Sequence, residues 1–318
     1  MENILVTGGA GFLGSHLCEF LLDKNCKVIC MDNLFTGSKS NIKHLLENKD
    51  FKFIPHDITE KIILHESVDQ IYNLACPASP IHYQKAPVET IRCNTVGVVN
   101  MLDMAVLHQA NILQASTSEV YGDPLEHPQK ETHRGNVNCI GPRACYDEGK
   151  RVAEALFFDY YRQLNIPIRV ARIFNTYGPR MSKNDGRVVS NFIIRALENK
   201  PLTVNGNGLQ TRSFCYVSDL IEGLYLLMNS KHTGPINLGN PNEITMLELA
   251  NKIITLTNSK SEIVYNTLPT DDPMKRKPDI SLANEKLSWV PKISLDEGLE
   301  KTINYFIEKL INNGKHTN

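Results

Sequence analysis

Thr7-Gly8-Gly9-Ala10-Gly11-Phe12-Leu13-Gly14 joins an apolar run, Asn3 to Thr7, to a stretch with helical spacing, Phe12 to Leu22. The first reads as a strand and the second as a helix. Gly8, Gly11 and Gly14 stand three apart at the junction. Gly8 permits a tight turn, Gly11 lets a pyrophosphate approach the backbone, and Gly14 lets the helix sit close to the sheet. The unpaired N–H groups at the helix start, with its dipole, then face the phosphates. Glycines also make plain turns, so it is the strand–turn–helix context that points to dinucleotide binding.

The same alternation continues outward. Lys27 to Met31, Phe51 to Pro55, Ile71 to Ala75, Ile112 to Ser116 and Ile168 to Phe174 read as strands. Helical patterns run from about Val88 to Gln109 and from Arg143 to Leu164. Short strands alternating with helices predict right-handed crossovers and a parallel sheet covered on both faces. The fold class is therefore α/β, a Rossmann-like doubly wound parallel sheet with a smaller carboxyl-terminal substrate domain. The pattern loosens after Tyr177-Gly178-Pro179. Val217 to Met228, Leu247 to Thr255, Leu282 to Leu287 and Leu295 to Ile311 read as further helices. Residues 1–176 are expected to be mainly the dinucleotide domain and 177–311 mainly the substrate domain, with 235–240 returning to the sheet. The polar tail, 312–318, is expected to fray.

A chain of 318 residues suits one large or two moderate domains. Its 34 basic and 35 acidic residues leave a net charge of -1, which argues against non-specific nucleic-acid binding but permits a local positive pocket. No apolar run approaches the roughly 18 residues of a membrane helix. The start, Met1-Glu2-Asn3, runs straight into a strand pattern and lacks the basic head and cleavage signature of a secretory signal, so neither a signal nor a membrane anchor is expected. The eight cysteines form no CxxC pair and the ten histidines no HExxH pattern, so no metal site is expected. Scattered thiols fit a reducing, cytoplasmic compartment.

Asp32 closes the second strand. Its carboxylate can accept both hydroxyl protons of an adenosine ribose and would repel a 2′-phosphate, which favours NAD over NADP. No arginine follows at Asn33 or Leu34 to attract that phosphate. Asp57 and Ile58, after the third strand, are placed to meet the adenine, although a turn carboxylate is an alternative for Asp57. Ala75 and Ala78 leave room for the cofactor or simply pack closely. Phe12, Leu13 and Asn33 complete the expected contacts.

Ser116-Thr117-Ser118-Glu119 ends the fifth strand, where open parallel sheets bind ligands. Tyr146 and Lys150 stand four apart, on one helix face. A phenol titrates near 10 and is a poor base at neutral pH. A nearby ammonium and a cationic nicotinamide favour phenolate. Lys150 can also hold the nicotinamide ribose, and Thr117 can bond the reacting oxygen. The set reads as a proton- and hydride-transfer site at a secondary alcohol.

These motifs resemble the extended short-chain dehydrogenase/reductase family, from Gly8 to about Trp289. Within it, several segments resemble the nucleotide-sugar decarboxylase branch acting on UDP-glucuronate. They are Ala78-Ser79-Pro80, Ser116 to Pro124, Gly141 to Arg151, Arg172 to Arg180 and Lys275-Arg276-Lys277-Pro278-Asp279. The resemblance implies a homodimer, made through helices flanking the active site. It also implies a redox-neutral conversion of UDP-glucuronate to UDP-xylose with tightly held NAD. C4 is oxidised as Tyr146 takes the hydroxyl proton. The resulting β-keto acid loses carbon dioxide, C5 is protonated and C4 is reduced again. Thr117, Ser118 and Tyr146 would stabilise the enolate oxygen or relay its proton.

The resemblance assigns Arg276 to the substrate carboxylate and to C5 protonation; a surface charge is the alternative. Glu119 beside that carboxylate is either partly protonated or promotes its departure, unless it is a buried acceptor. Asn175 and Arg212 resemble diphosphate contacts, against roles in a turn and at a strand end. Tyr83 approaches the sugar or packs in the core. Arg187 orders the uridine loop or simply starts a helix. A 4,6-dehydratase is the nearest alternative activity, but that family carries an aspartate where Ser118 stands. A non-enzymatic NAD-responsive module would not need Thr117, Tyr146 and Lys150.

Overall fold

The computed structural model describes residues 1–267 and 275–314. Six parallel strands occupy the first half: β1 (Asn3–Thr7), β2 (Lys27–Asp32), β3 (Phe51–Pro55), β4 (Gln70–Asn73), β5 (Asn111–Thr117) and β6 (Ile168–Ile173). Shorter strands follow: β7 (Thr176–Tyr177), β8 (Leu202–Asn205), β9 (Thr211–Ser213), β10 (Cys215–Tyr216), β11 (Ile236–Leu238), β12 (Glu243–Thr245), β13 (Ile263–Asn266) and β14 (Lys275–Arg276). The main sheet runs β11-β6-β5-β4-β1-β2-β3, every pair parallel. The order reverses between β1 and β4, the switch point at which such sheets open a ligand crevice.

The sheet is buried on both faces because short apolar runs fill the middle of its strands. In β1, Ile4 and Val6 enter one core while Leu5 enters the other. In β2, Val28 and Cys30 face oppositely to Ile29 and Met31, the period-two alternation of a strand. Helices α1 (Phe12–Asp23) and α8 (Val217–Met228) supply the first core. The second takes α5 (Val98–His108) and α6 (Ala144–Leu164), which bury Met101, Leu102, Ala153 and Phe157.

Two one-turn helices, α2 (Lys39–Ile42) and α3 (Pro80–Tyr83), follow β2 and β4, and α4 (Pro87–Arg92) precedes α5. The expected continuous helix over 88–109 is instead interrupted by a π turn at Cys93–Gly97. Gly97 takes part in the fit: a Cβ there would lie 2.7 Å from Ile58. The widened turn brings Cys93 and Asn94 to the end of β4. The Cys93 thiol donates to the Ala75 carbonyl and the Asn94 amide to Cys76 Sγ, each at 3.1 Å. The fourth strand, expected over 71–75, ends at Asn73 because Ala75 N turns aside to Thr7 Oγ1 (3.3 Å).

The carboxyl-terminal half contains α7 (Val188–Leu197), α9 (Met246–Thr257), α10 (Ser281–Leu287) and α11 (Leu295–Gly314). Helix α7 begins directly after Arg187, the helix start that the sequence offers as an alternative role for that residue. It buries Val189, Phe192, Ile193 and Ala196 on one face. Trp289 is fully buried and donates to the Asp219 carbonyl at 2.9 Å, tying the chain after α10 to α8. Helix α11 continues three residues beyond the expected end at Ile311; the rest of the expected frayed tail, 315–318, lies outside the described residues. Strand β9 pairs antiparallel with β12 and parallel with β14, making Arg212 and Arg276 register partners. No helix among the described residues is long and apolar enough to cross a membrane.

Candidate active site

The ends of β1, β2, β4, β5 and β6 open into one cleft of about 1170 Å³, which also takes in Arg212 and Arg276. A single small ligand usually needs about 300–1,000 Å³. Every residue proposed from sequence lines this one space.

At one end the glycine turn is closed to side chains. Gly8 has φ +67°, and a Cβ there would meet the Ala75 backbone at 3.0 Å. A Cβ on Gly14 would lie 2.1 Å from the Gly8 carbonyl oxygen. Gly11 caps α1 in extended conformation, with no side-chain cap and no acidic residue in the first turn. The helix start therefore presents bare N–H groups to the cleft beside Phe12 and Leu13. Asp32 accepts from Leu34 N at 2.7 Å and Ala10 N at 3.0 Å, which aims its carboxylate at the same space. Burial pushes its carboxyl up despite these bonds.

Asp57 accepts from Thr59 N at 2.9 Å and from Asn33 Nδ2 at 2.7 Å, so it both makes the turn and holds Asn33 at the cleft. Ile58 is buried, Ala75 is half-buried and Ala78 is exposed at the rim. A glycine-floored turn, a helix start without acid and a ribose-competent carboxylate fit NAD.

Helix α6 carries the reaction residues. Tyr146, Gly149, Lys150, Ala153, Glu154 and Phe157 form its buried face. A Cβ on Gly149 would meet Asn94 Nδ2 at 3.0 Å, so α6 packs tightly on the π turn. The Tyr146 hydroxyl is within hydrogen-bond reach of Thr117. Lys150 Nζ donates to the Ala115 carbonyl at 2.9 Å and lies 5.8 Å from the Tyr146 ring centre. In the chain by itself, burial, with Cys76 nearby, pushes the Tyr146 hydroxyl well up, and the hydrogen bond with Thr117 does not offset them, so the expected phenolate calls for the nicotinamide charge as well. Without further positive charge the phenol stays protonated.

Tyr83 stacks on Tyr146, ring centres 4.9 Å apart and planes 6° from parallel. It therefore both packs and lines the cleft. Ser118 is buried at the start of a 3-10 turn, and Thr117 Oγ1 accepts from Glu119 N at 3.2 Å.

Glu119 is held from two sides. Arg276 Nη1 pairs with Oε1, and Arg143 Nη2 pairs with Oε2 at 2.8 Å. Burial alone would raise this carboxyl, but the Arg276 and Arg143 guanidiniums outweigh it and bring it down to about 2. Paired with both arginines, Glu119 is a carboxylate; its partial protonation is expected only beside a substrate carboxylate. Arg276 is almost wholly buried and also donates to the Gly122 carbonyl at 3.1 Å. It is no surface charge.

The remaining expected contacts surround this centre. Arg187 forms a two-pronged pair with Asp185 and lies 5.6 Å from the Phe12 ring centre, bridging α7 to the glycine turn. Asn175 follows β6 and accepts from Cys215 N through its carbonyl at 2.9 Å. Arg212 Nη1 donates to the Thr211 carbonyl at 2.9 Å.

Two residues escaped sequence reasoning. Arg143 precedes Tyr146 by three residues and so shares its helix face, a usable signal. Cys76 had no such signal. Burial raises its thiol, but the Cys93 hydrogen bond, the Lys150 charge and the Asn94 amide bring it to about 7.

Fold and cleft together define an NAD-dependent Rossmann enzyme. The GDP-mannose 4,6 dehydratase family model matches residues 5–302, and the chain belongs to that family, among the extended short-chain dehydrogenases/reductases. It is similar to UDP-glucuronic acid decarboxylase 1 of Arabidopsis thaliana, 57% identical over 97% of this chain and 71% of that one. It is 53% identical to the protein of the same name from Xenopus tropicalis, over 97% and 73%. Among solved structures it is similar to UDP-glucuronic acid 4-epimerase from Bacillus cereus in complex with UDP-glucuronic acid and NAD. That match has a TM-score of 0.85 and 29% identity, over 97% and 99% of the two chains.

Proposed function

We infer that the chain converts UDP-glucuronate to UDP-xylose and carbon dioxide. The observation that carries this reading is the buried Arg276, paired with Glu119 in the same NAD-suited cleft that Thr117 and Tyr146 line. A buried guanidinium there suits a sugar bearing a carboxylate. The relatives named as decarboxylases support the same reading over a dehydratase. So does Ser118, a poor acid where a dehydratase needs a good one to protonate a leaving hydroxyl.

Gly8, Gly11, Phe12, Leu13 and Gly14 hold the cofactor phosphates, Asp32 the ribose, and Asn33, Asp57 and Ile58 the adenine end. Ala75 and Ala78 leave room along the dinucleotide, and Lys150 holds the nicotinamide ribose. Bound NAD⁺ supplies hydride chemistry at C4 and the positive charge that lowers the Tyr146 pKa. Tyr146 Oη takes the C4 hydroxyl proton. Thr117 and Ser118 donate to the C4 oxygen as negative charge develops there when carbon dioxide leaves. Arg276 engages the carboxylate and then supports protonation of C5.

Asn175 and Arg212 hold the diphosphate, Arg187 the uridine loop, and Tyr83 the sugar. Residues 1–176 chiefly serve NAD and 177–311 the nucleotide sugar. A homodimer and a cytoplasmic location belong to the same reading. Exposed Val88, Ile91, Val96 and Val152, on helical segments beside the cleft, support the first. Eight free thiols support the second.

Mass spectrometry of products from a nucleotide-sugar panel tests the activity. UDP-glucuronate is expected to give UDP-xylose and carbon dioxide without net NADH. Cofactor-loaded protein that binds UDP-glucuronate and releases no carbon dioxide would overturn the reading.

A further inference from the structure

Glu119 spends its two oxygens on arginines from different parts of the chain. Arg276 comes from β14, which hangs on β9 in the carboxyl-terminal half. Arg143 stands immediately before α6, the helix of Tyr146 and Lys150. Arg212, Asp147, Tyr146 and Tyr83 also face the pair. The Arg143 guanidinium additionally approaches Asp147, with Nε 3.8 Å from Oδ2.

This arrangement sets up a competition. A sugar carboxylate must take the Arg276 fork that Glu119 already occupies. Two carboxylates sharing one guanidinium repel each other, and an ionised carboxylate left unpaired in a half-buried site is costly. Arg143 removes that cost, because it grips Oε2 and leaves Oε1 to be given up.

We propose that Arg143 is a positioning residue, acting through Glu119, that makes Arg276 available to the substrate carboxylate and so selects UDP-glucuronate over sugars lacking one. The proposal rests on the decarboxylase reading. When the substrate arrives, Arg276 transfers from Glu119 to the sugar carboxylate, and Arg143 keeps Glu119 ionised and out of its way. Without Arg143, Glu119 retains Arg276, and a carboxylate-bearing ligand must break that pair to bind. A ligand without a carboxylate has no need of Arg276 and is little affected.

The test compares two ligands, UDP-glucuronate and UDP-xylose, by titration calorimetry on NAD-loaded protein. A Tyr146→Phe background keeps the first from being consumed. Arg143→Ala is expected to weaken UDP-glucuronate by about tenfold more than UDP-xylose, the size of one charge-assisted contact. Glu119→Gln added to Arg143→Ala is expected to restore the ratio, because a neutral amide does not hold Arg276. Arg143→Lys is expected to restore part of it, and it carries the comparison should the alanine variant not fold.

Equal weakening of both ligands would reduce Arg143 to a structural part of the α6 start and overturn the proposal. A ratio that the double variant leaves unrestored would overturn it as well. Failure of the decarboxylase reading is separately visible, as absence of carbon dioxide release by the wild-type protein.

Discussion

Asp147 is a buried carboxyl beside an ionised one. Burial raises it first, the Glu119 charge adds to that, and Arg143 only partly opposes them, so it titrates near 7. Its Oδ1 is buried without a hydrogen-bond partner among the described residues. The folded pKa lies above the ordinary carboxyl value of about 3.9. Folded protein therefore binds the proton more tightly than unfolded chain. That contribution to stability is present in acid and is lost as pH rises through about 7. Asp147→Asn keeps the shape and removes the ionisation. Its stability relative to wild type is expected to rise between pH 4 and pH 8, by up to about 4 kcal/mol. Thermal melts across that range measure it; a difference independent of pH would refute the assignment. None of this was readable from the sequence. Tyr146 and Lys150 announce themselves by spacing, whereas the states of Glu119 and Asp147 depend on Arg276, which reaches them only through the fold.

At the scale of elements, the motif Ser116 to Pro124 divides between chemistry and architecture. Ser116, Thr117, Ser118 and Glu119 line the cleft, while the Ser116 and Tyr121 hydroxyls enter a buried polar network. Glu154 of α6 accepts from Ser116 Oγ at 2.6 Å and from Arg172 of β6 at 3.0 and 2.7 Å. Arg172 also donates to Tyr121 Oη at 3.1 Å, and Tyr121 donates to Asn237 of β11 at 2.7 Å. One ion pair thus ties β5, β6, α6 and β11 together. Glu154→Ala would leave Arg172 charged and unpaired, at a cost of about 3–5 kcal/mol. Urea unfolding is the measure, and a loss under about 1 kcal/mol would mean that water or relaxation satisfies Arg172. The long strands and helices were legible because apolar period marks them. Two-residue strands such as β7, β10 and β14 carry no period at all. Helix α7 starts without a side-chain cap and is rich in β-branched Val188, Val189, Ile193 and Ile194, so tertiary packing decides its state. The π turn at Cys93–Gly97 hides inside an otherwise regular helical pattern.

Over the whole molecule, the sheet supplies the cofactor end of the cleft and the carboxyl-terminal strands supply Arg212 and Arg276. The formal charge of -1 conceals this, since basic groups for a diphosphate and a carboxylate gather in one place. The reaction gives two hydrogens of the product different origins. At C5, loss of carbon dioxide leaves a carbon that must be protonated. The groups proposed to serve it are hydroxyl, phenol and guanidinium, namely those of Thr117, Ser118, Tyr146 and Arg276, all of which exchange with solvent. At C4, a redox-neutral reaction returns the hydrogen it removed. Turnover of UDP-glucuronate in D₂O is therefore expected to place one deuterium at C5 of UDP-xylose and none at C4, as read by proton NMR and mass spectrometry. A second protium at C5, beside the one the substrate already carries there, would require a shielded, non-exchanging donor, which none of the four groups is. Deuterium at C4 would mean that the C4 hydrogen escapes to water between oxidation and reduction, which is incompatible with a cleft that holds cofactor and sugar together through the whole cycle.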